Sequence, residues 1–94
     1  MNSIERQNIE IIADIMEIAY DINKLDGSPI INIALNGQEF QMHTYEGNKC
    51  HMKIIDLNTN SSRITRGLLF LKANLAADLV LKRGGIYAGN RKAD

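Results

Sequence analysis

The sequence predicts an α+β fold: a two-layer sandwich in the order helix, three-stranded antiparallel meander, helix. Three observations predict it. Residues 1–26 carry apolar side chains at helical spacing, the period changes to two between Ile30 and Leu57, and helical spacing returns from Ile64. Glycine-centred turns divide the middle into strands. One sheet face is then apolar and the other polar, so the two helices are expected to cover the apolar face.

In the first segment Ile11, Ile15, Ile18, Ile22 and Leu25 step by four, three, four and three, which places them on one helix face. Ile12, Met16 and Ala19 widen that face, and Glu10, Asp14, Glu17, Asp21 and Lys24 form the opposite stripe. Asn2 or Ser3 can cap the start, and Asn2 with Glu5 resembles a capping box. Asp26-Gly27-Ser28-Pro29 ends the helix, because Gly27 can turn left-handed and Pro29 prevents resumption.

Ile31, Ile33 and Leu35 then alternate with Asn32 and Ala34 up to Asn36-Gly37, a strong signal for a two-residue hairpin turn. A turn centred on that dipeptide pairs Leu35 with Gln38, Ile33 with Phe40 and Ile31 with Met42, so apolar residues meet on one face. A second turn lies at Glu46-Gly47-Asn48, before a strand from Cys50 to Leu57. A three-residue loop there opposes Met42 to Met52 and Phe40 to Ile54; a two-residue turn at Gly47-Asn48 opposes Met42 to Lys53. The hydrophobic match favours the first. It also places His43 opposite His51 on the polar face and turns Cys50 to the other.

The polar run Asn58-Thr59-Asn60-Ser61-Ser62 ends in residues suited to capping a helix. Ile64, Leu68, Leu71, Leu75 and Leu79 recur at helical spacing, with Leu69, Ala73, Ala76 and Val80 beside them. Gly84-Gly85, after Lys82 and Arg83, is expected to stop this helix, leaving a mobile tail at about 89–94.

At 94 residues the chain is one domain, 1–94. Hydrophobic residues are 45% and charged residues 23%, which is globular rather than disordered composition. The net charge of zero excludes a histone-like polycation. No apolar run approaches the ~20 residues that span a bilayer. Charges every few positions up to Leu25 exclude the apolar core of a signal peptide. Cys50 is alone and cannot form an internal disulfide, which fits a reducing compartment, so a cytoplasmic location is expected.

His43, Cys50 and His51 are the one group with soft-ligand chemistry. Two imidazoles supply half of a structural zinc site, and nothing supplies the remainder, so no metal and no cofactor are expected. Cys50 lacks the cationic neighbour and orienting third group that a nucleophilic thiolate needs. Gly84-Gly85 follows a helix, whereas a phosphate-cradling loop precedes one. No catalytic constellation remains, and the chain is not expected to be an enzyme.

Charge is unevenly placed. Residues 1–27 hold six acids and two bases, a sum of −4, and residues 61–94 hold two acids and seven bases, a sum of +5. The exposed row Glu10, Asp14, Glu17 and Asp21 is a docking surface for a protein partner with a basic surface, or else simply a solvated face. Gln41, His43, Tyr45, His51 and Lys53 on the polar sheet face extend that candidate site. The rival is a nucleic-acid interface through Arg63, Arg66, Lys82, Arg83, Arg91 and Lys92. Helix faces wider than three strands can cover, and a sheet with two open edges, predict a homodimer.

The order helix–strand–strand–strand–helix resembles that of the double-stranded-RNA-binding domain. That family uses its first helix, its first hairpin loop and the opening of its second helix to read RNA. The corresponding positions here are an acidic helix, a tight Asn36-Gly37 turn, and Arg63 with Arg66 in place of a lysine cluster. The layout is also similar to that of some small phage-encoded inhibitors of bacterial defence enzymes. The expected function is therefore a small protein-interaction module, an inhibitor or regulator of a nucleic-acid-handling complex. Nucleic-acid binding is the alternative.

Overall fold

Five elements run in the predicted order: α1 (Ser3–Asn23), β1 (Ile30–Asn36), β2 (Glu39–Glu46), β3 (Lys49–Asp56) and α2 (Ser62–Ala93). The computed structural model describes residues 3–58 and 61–93, with side chains as far as residue 83. Met1, Asn2, Thr59, Asn60 and Asp94 lie outside the described residues, and so does the proposed cap at Asn2.

In α1 the buried residues are Asn8, Ile11, Ile12, Ile15, Ala19 and Ile22; all but Asn8 lie on the predicted face, Asn8 extends it by a turn, and Met16, expected to widen it, is 49% exposed. The chain leaves the helix through Gly27, whose φ of 77° is left-handed and strained for any side chain with a Cβ. Asn23 then ties the helix end to the sheet. Its Nδ2 donates to the Ile31 carbonyl at 2.8 Å, and the Ile31 N–H donates to its Oδ1 at 2.7 Å. These bonds occupy backbone groups on the open edge of β1, one way of blocking stray strand pairing.

The sheet order is β1-β2-β3, antiparallel throughout. Both turns are two residues long, Gly37-Gln38 and Gly47-Asn48, with φ of 65° at Gly37 and 61° at Gly47. Glycine takes the first central position in each, where a primed turn requires positive φ. The first hairpin therefore pairs Leu35 with Phe40, Ile33 with Met42 and Ile31 with Thr44, two residues along from the expected register. A shift of two preserves which face each side chain takes.

In the second hairpin the expected register is corrected more sharply. Met42 faces Lys53, His43 faces Met52, and Thr44 faces His51. This is the two-residue alternative, and it exchanges the two faces of β3 relative to the three-residue loop. The turn geometry available to Gly47 outweighs the hydrophobic match, because β3 carries apolar residues on both faces and gives up little in either register.

The core joins α1, the sheet and α2. Ile15, Ile22, Phe40 and Leu68 are fully enclosed, and Ile11, Ile12, Ala19, Ile31, Leu71, Leu75 and Leu79 complete the cluster. α1 is the helix that lies on the sheet, along β1; α2 packs along α1. The Lys72 ammonium donates to Asp14 Oδ2 at 2.8 Å across the helix pair. Deeper in the same seam, the Thr65 hydroxyl donates to Asn8 Oδ1 at 2.6 Å, and Asn8 Nδ2 is buried without a partner.

Ser61 immediately precedes α2, and its carbonyl accepts from the Ile64 and Thr65 N–H groups. α2 then runs through Gly84-Gly85 to Ala93, where the sequence predicts a stop. A glycine inside a helix costs only about 1 kcal/mol relative to alanine, and no proline follows to forbid continuation. Among the described residues no helix is long and apolar enough to cross a membrane.

Candidate functional site: the outer face of the sheet

The observed registers sort the sheet residues into two faces. Ile31, Ile33, Leu35, Phe40, Met42, Thr44, His51, Lys53 and Ile55 share the face on which α1 lies. Ile30, Asn32, Ala34, Glu39, Gln41, His43, Tyr45, Cys50, Met52, Ile54 and Asp56 share the other. Among the described residues no helix covers that second face, and its apolar members are open to solvent. Ile30 is 53% exposed, Met52 57%, Ile54 46% and Tyr45 43%.

Along β2 the outward side chains form a connected row. Gln41 Nε2 donates to Glu39 Oε1 at 2.7 Å, His43 Nε2 lies 3.4 Å from Gln41 Oε1, and the His43 ring stacks near-parallel on Tyr45 with centroids 6.4 Å apart. The row fixes four neighbouring side chains before any partner arrives, which lowers the entropy lost on binding. Ile30 flanks it on β1, and Cys50, Met52 and Ile54 flank it on β3.

At one end of the row Glu39 sits directly opposite Asp56. The closing pair of the hairpin, Glu46 with Lys49, makes Glu39–Asp56 a non-hydrogen-bonded pair, in which facing side chains approach most closely. Like charges in that position destabilise a sheet by about 0.2–1 kcal/mol. Asp56→Asn should therefore raise the stability to urea by a few tenths to 1 kcal/mol. The bond from the Asn58 N–H to Asp56 Oδ1, 2.9 Å, can survive the change. A fall in the urea midpoint would show that the pair is not strained.

The predicted site residues divide among several places. Gln41, His43 and Tyr45 come together as expected. His51 and Lys53 lie on the opposite face, exposed where β3 extends beyond the cover of α1. His43 and His51 therefore do not face each other. Cys50 is exposed across from Tyr45, on the face of His43. Among the described residues no group of three or more His, Cys, Asp or Glu is placed to hold a metal ion.

The acidic row is partly neutralised within the molecule. Asp14 is bonded to Lys72, and Asp21 lies 3.3 Å from Lys24, whose ammonium also sits 4.7 Å from the Tyr20 ring centroid. Glu10 and Glu17 remain exposed. The basic residues of α2 are not gathered. Arg63 and Arg66 open the helix, whereas Lys82, bonded to Asp78 at 2.9 Å, and Arg83 lie roughly 28 Å further along at 1.5 Å per residue. The side chains of Arg91 and Lys92 lie outside the described residues.

The surface hollows are open rather than pocket-like. One is lined by Ser3, Arg6, Gln7 and Glu10, successive turns of a single helix. Another, of about 200 Å³, lies between α1 and the first turn and is lined by Ile9, Ile12, Leu35 and Leu57 among others. Sequence reasoning passed over Ile30, Met52, Ile54, Glu39 and Asp56 as site residues. The apolar character of β3 at both odd and even positions was the available signal that one sheet face would stay uncovered. No family model, curated protein or solved structure matches the chain.

Proposed function

We propose that the chain is a non-enzymatic protein-interaction module whose outer sheet face docks on a protein surface that is apolar at its centre and basic at its edge. One observation carries this reading. Among the described residues twelve large apolar side chains stand exposed, against eleven hydrophobic residues in the core, and four of the twelve share the outer sheet face. Contiguous apolar surface rimmed by polar groups is the usual mark of a protein contact. Glu39 and Asp56 at the edge of the face call for a cation, and so select a basic rim on the partner. A nucleic-acid-handling protein presents such a rim, and occupying it would inhibit or regulate that protein.

The test is affinity capture from nuclease-treated lysate with the wild-type chain and with Ile54→Glu. Ile54 is half exposed, so the variant should keep the wild-type circular dichroism. It should also lose the captured partner, with a Kd raised at least tenfold in a purified pair. Glu39→Lys with Asp56→Lys should instead slow association in a salt-dependent way. Equal capture by wild type and Ile54→Glu would remove the sheet face from the contact. Turnover of a small molecule by the purified chain, with no specific partner, would overturn the class.

A further inference from the structure

We propose that the open edge of β1, beneath the flank of α1, takes an extended apolar peptide of a partner protein as a fourth, antiparallel strand. β1 is an edge strand and α1 lies along it, so one flank of the helix overhangs the edge. On a helical wheel at about 100° per residue, Ile9, Met16 and Tyr20 fall within about 40° of one another on that flank. Ile9 and Met16 are each 49% exposed, and Tyr20 is 63% exposed. Two hollows follow one another beneath them. The first, of about 340 Å³, is walled by Met16, Tyr20, Asn23 and Ile33 among others. The second is the hollow of about 200 Å³ at Ile9, Ile12 and Leu35.

Backbone hydrogen bonding identifies the occupant. Asn36 and Glu39 close the first hairpin as a hydrogen-bonded pair, so Ile30, Asn32 and Ala34 turn their N–H and C=O toward β2. Ile31, Ile33 and Leu35 turn theirs to the open edge. Asn23 follows the same parity, because its amide takes both the N–H and the C=O of Ile31. Those of Ile33 and Leu35 have no partner among the described residues. A donor and an acceptor on each of two residues about 6.7 Å apart match the repeat of an extended polypeptide backbone. Antiparallel, such a backbone exchanges both bonds with Ile33 and both with Leu35.

Side chains facing each other across a ladder share one side of the sheet, so the two paired peptide residues point toward α1. One lands between Ile33 and Met16, the other among Leu35, Ile9 and Ile12. The recognised pattern is therefore two apolar residues separated by one of any kind. No charged residue lies on β1 or on the flank of α1 between Glu5 and Lys24, so nothing in the cleft balances a buried charge. Asn23 sets the limit of the site, and the peptide ends or turns away there. The same amide excludes β1 of a second copy, since every antiparallel register that pairs it with both Ile33 and Leu35 collides with Asn23. None of these side chains belongs to the outer sheet face, so the cleft and the site proposed above stand or fall separately.

Selection on the purified full-length chain from a phage-displayed library of random dodecapeptides tests the proposal. Enriched peptides should share apolar residues two positions apart and, once synthesised with a fluorophore, bind with Kd below roughly 100 µM by anisotropy. Met16→Glu and Leu35→Pro should each raise that Kd at least tenfold with unchanged circular dichroism. Met16 is half exposed, and Leu35→Pro removes an N–H that points off the edge, a change that an edge strand tolerates. Ile54→Glu, on the outer sheet face, should leave Kd within twofold. Amide hydrogen exchange reads the backbone directly. Bound peptide should slow exchange at Ile33 and Leu35 at least tenfold and leave Ile31, already bonded to Asn23, unchanged. No enriched peptide, or binding that neither cleft variant weakens, overturns the proposal. So does binding that leaves the Ile33 and Leu35 amides unprotected, or that only Ile54→Glu weakens. A wild-type chain that sediments as a dimer, and as a monomer in Leu35→Pro, would give the edge to a second copy and overturn it as well.

Discussion

Phe40→Ala should destabilise the protein by about 3–5 kcal/mol, the usual cost of removing an enclosed phenylalanine. Phe40 is 0% exposed and sits in the middle strand, between Leu35 and Ile55 on its neighbours and beneath α1. Among the described residues no other aromatic side chain is in the core cluster, so no large neighbour in it can relax into the space. Against the ~5–15 kcal/mol that holds a small domain together, the loss is about a fifth or more of the total. Tm should fall by at least ~12 °C, at about 4–8 °C per kcal/mol for a domain of this size. Met52→Ala, on the outer face and 57% exposed, should change stability by no more than about 0.5 kcal/mol. Both must be measured at one protein concentration, because any self-association makes apparent stability depend on it. A Phe40→Ala loss below 1 kcal/mol would mean that the sheet is not anchored where the fold places it.

Leu68→Ala should cost about 2–5 kcal/mol and act unevenly across the molecule. Leu68 is fully buried in the α1–α2 seam. α2 is held to the rest of the chain chiefly through α1, while β1, β2 and β3 are held by their own ladders. Local opening draws on the elements with the fewest attachments. Native-state hydrogen exchange should therefore speed up in α2 by more than about tenfold, the equivalent of ~1.4 kcal/mol, and by less in β2. Equal acceleration in both would make the chain one cooperative unit and would contradict the layered attachment. Thr65, one turn earlier in the seam, carries the bond to Asn8 and should report the same opening.

Element order was legible in the sequence because the period of the apolar residues changes twice, at Ile30 and again at Ile64. The core was legible for the same reason. Ile11, Ile15, Ile22, Leu68, Leu71, Leu75 and Leu79 were on the predicted faces and are buried. The turns were located but not their registers. Asn36-Gly37 satisfies a type I′ turn as a dipeptide, yet the chain uses Gly37 one place earlier in the turn, as it uses Gly47. In the first hairpin the error was two residues and harmless to the faces. In the second it reversed β3, which separated His43 from His51 and moved Cys50, Met52 and Ile54 to the outer face. No local rule could decide that case, since Met52 and Ile54 on one face compete with Ile55 on the other.

The candidate site was half legible for the same physical reason. Gln41, His43 and Tyr45 alternate along one strand, so their common face follows from period two alone. Their neighbours depend on pairing across strands, which is a tertiary property. The acidic row of α1 was legible as a stripe, but its compensation by Lys72 was not, because that ion pair joins residues 58 positions apart. Leu69, Ala73, Ala76 and Val80 were read as a margin of the buried face of α2. The angle between Leu68 and Phe70 shows instead that the helix has a second, outward apolar side.

Site-specific photo-crosslinking tests the central claim, that the outer sheet face is the protein-binding surface. A photoreactive amino acid replaces Met52 in one chain and Glu17, on the exposed acidic row of α1, in another. Each is irradiated in nuclease-treated lysate from cells that express the chain. The account predicts one discrete adduct from position 52, absent in the Ile54→Glu background, and none of comparable yield from position 17. An adduct from position 17 with nothing from position 52 would contradict it and return the contact to the acidic helix.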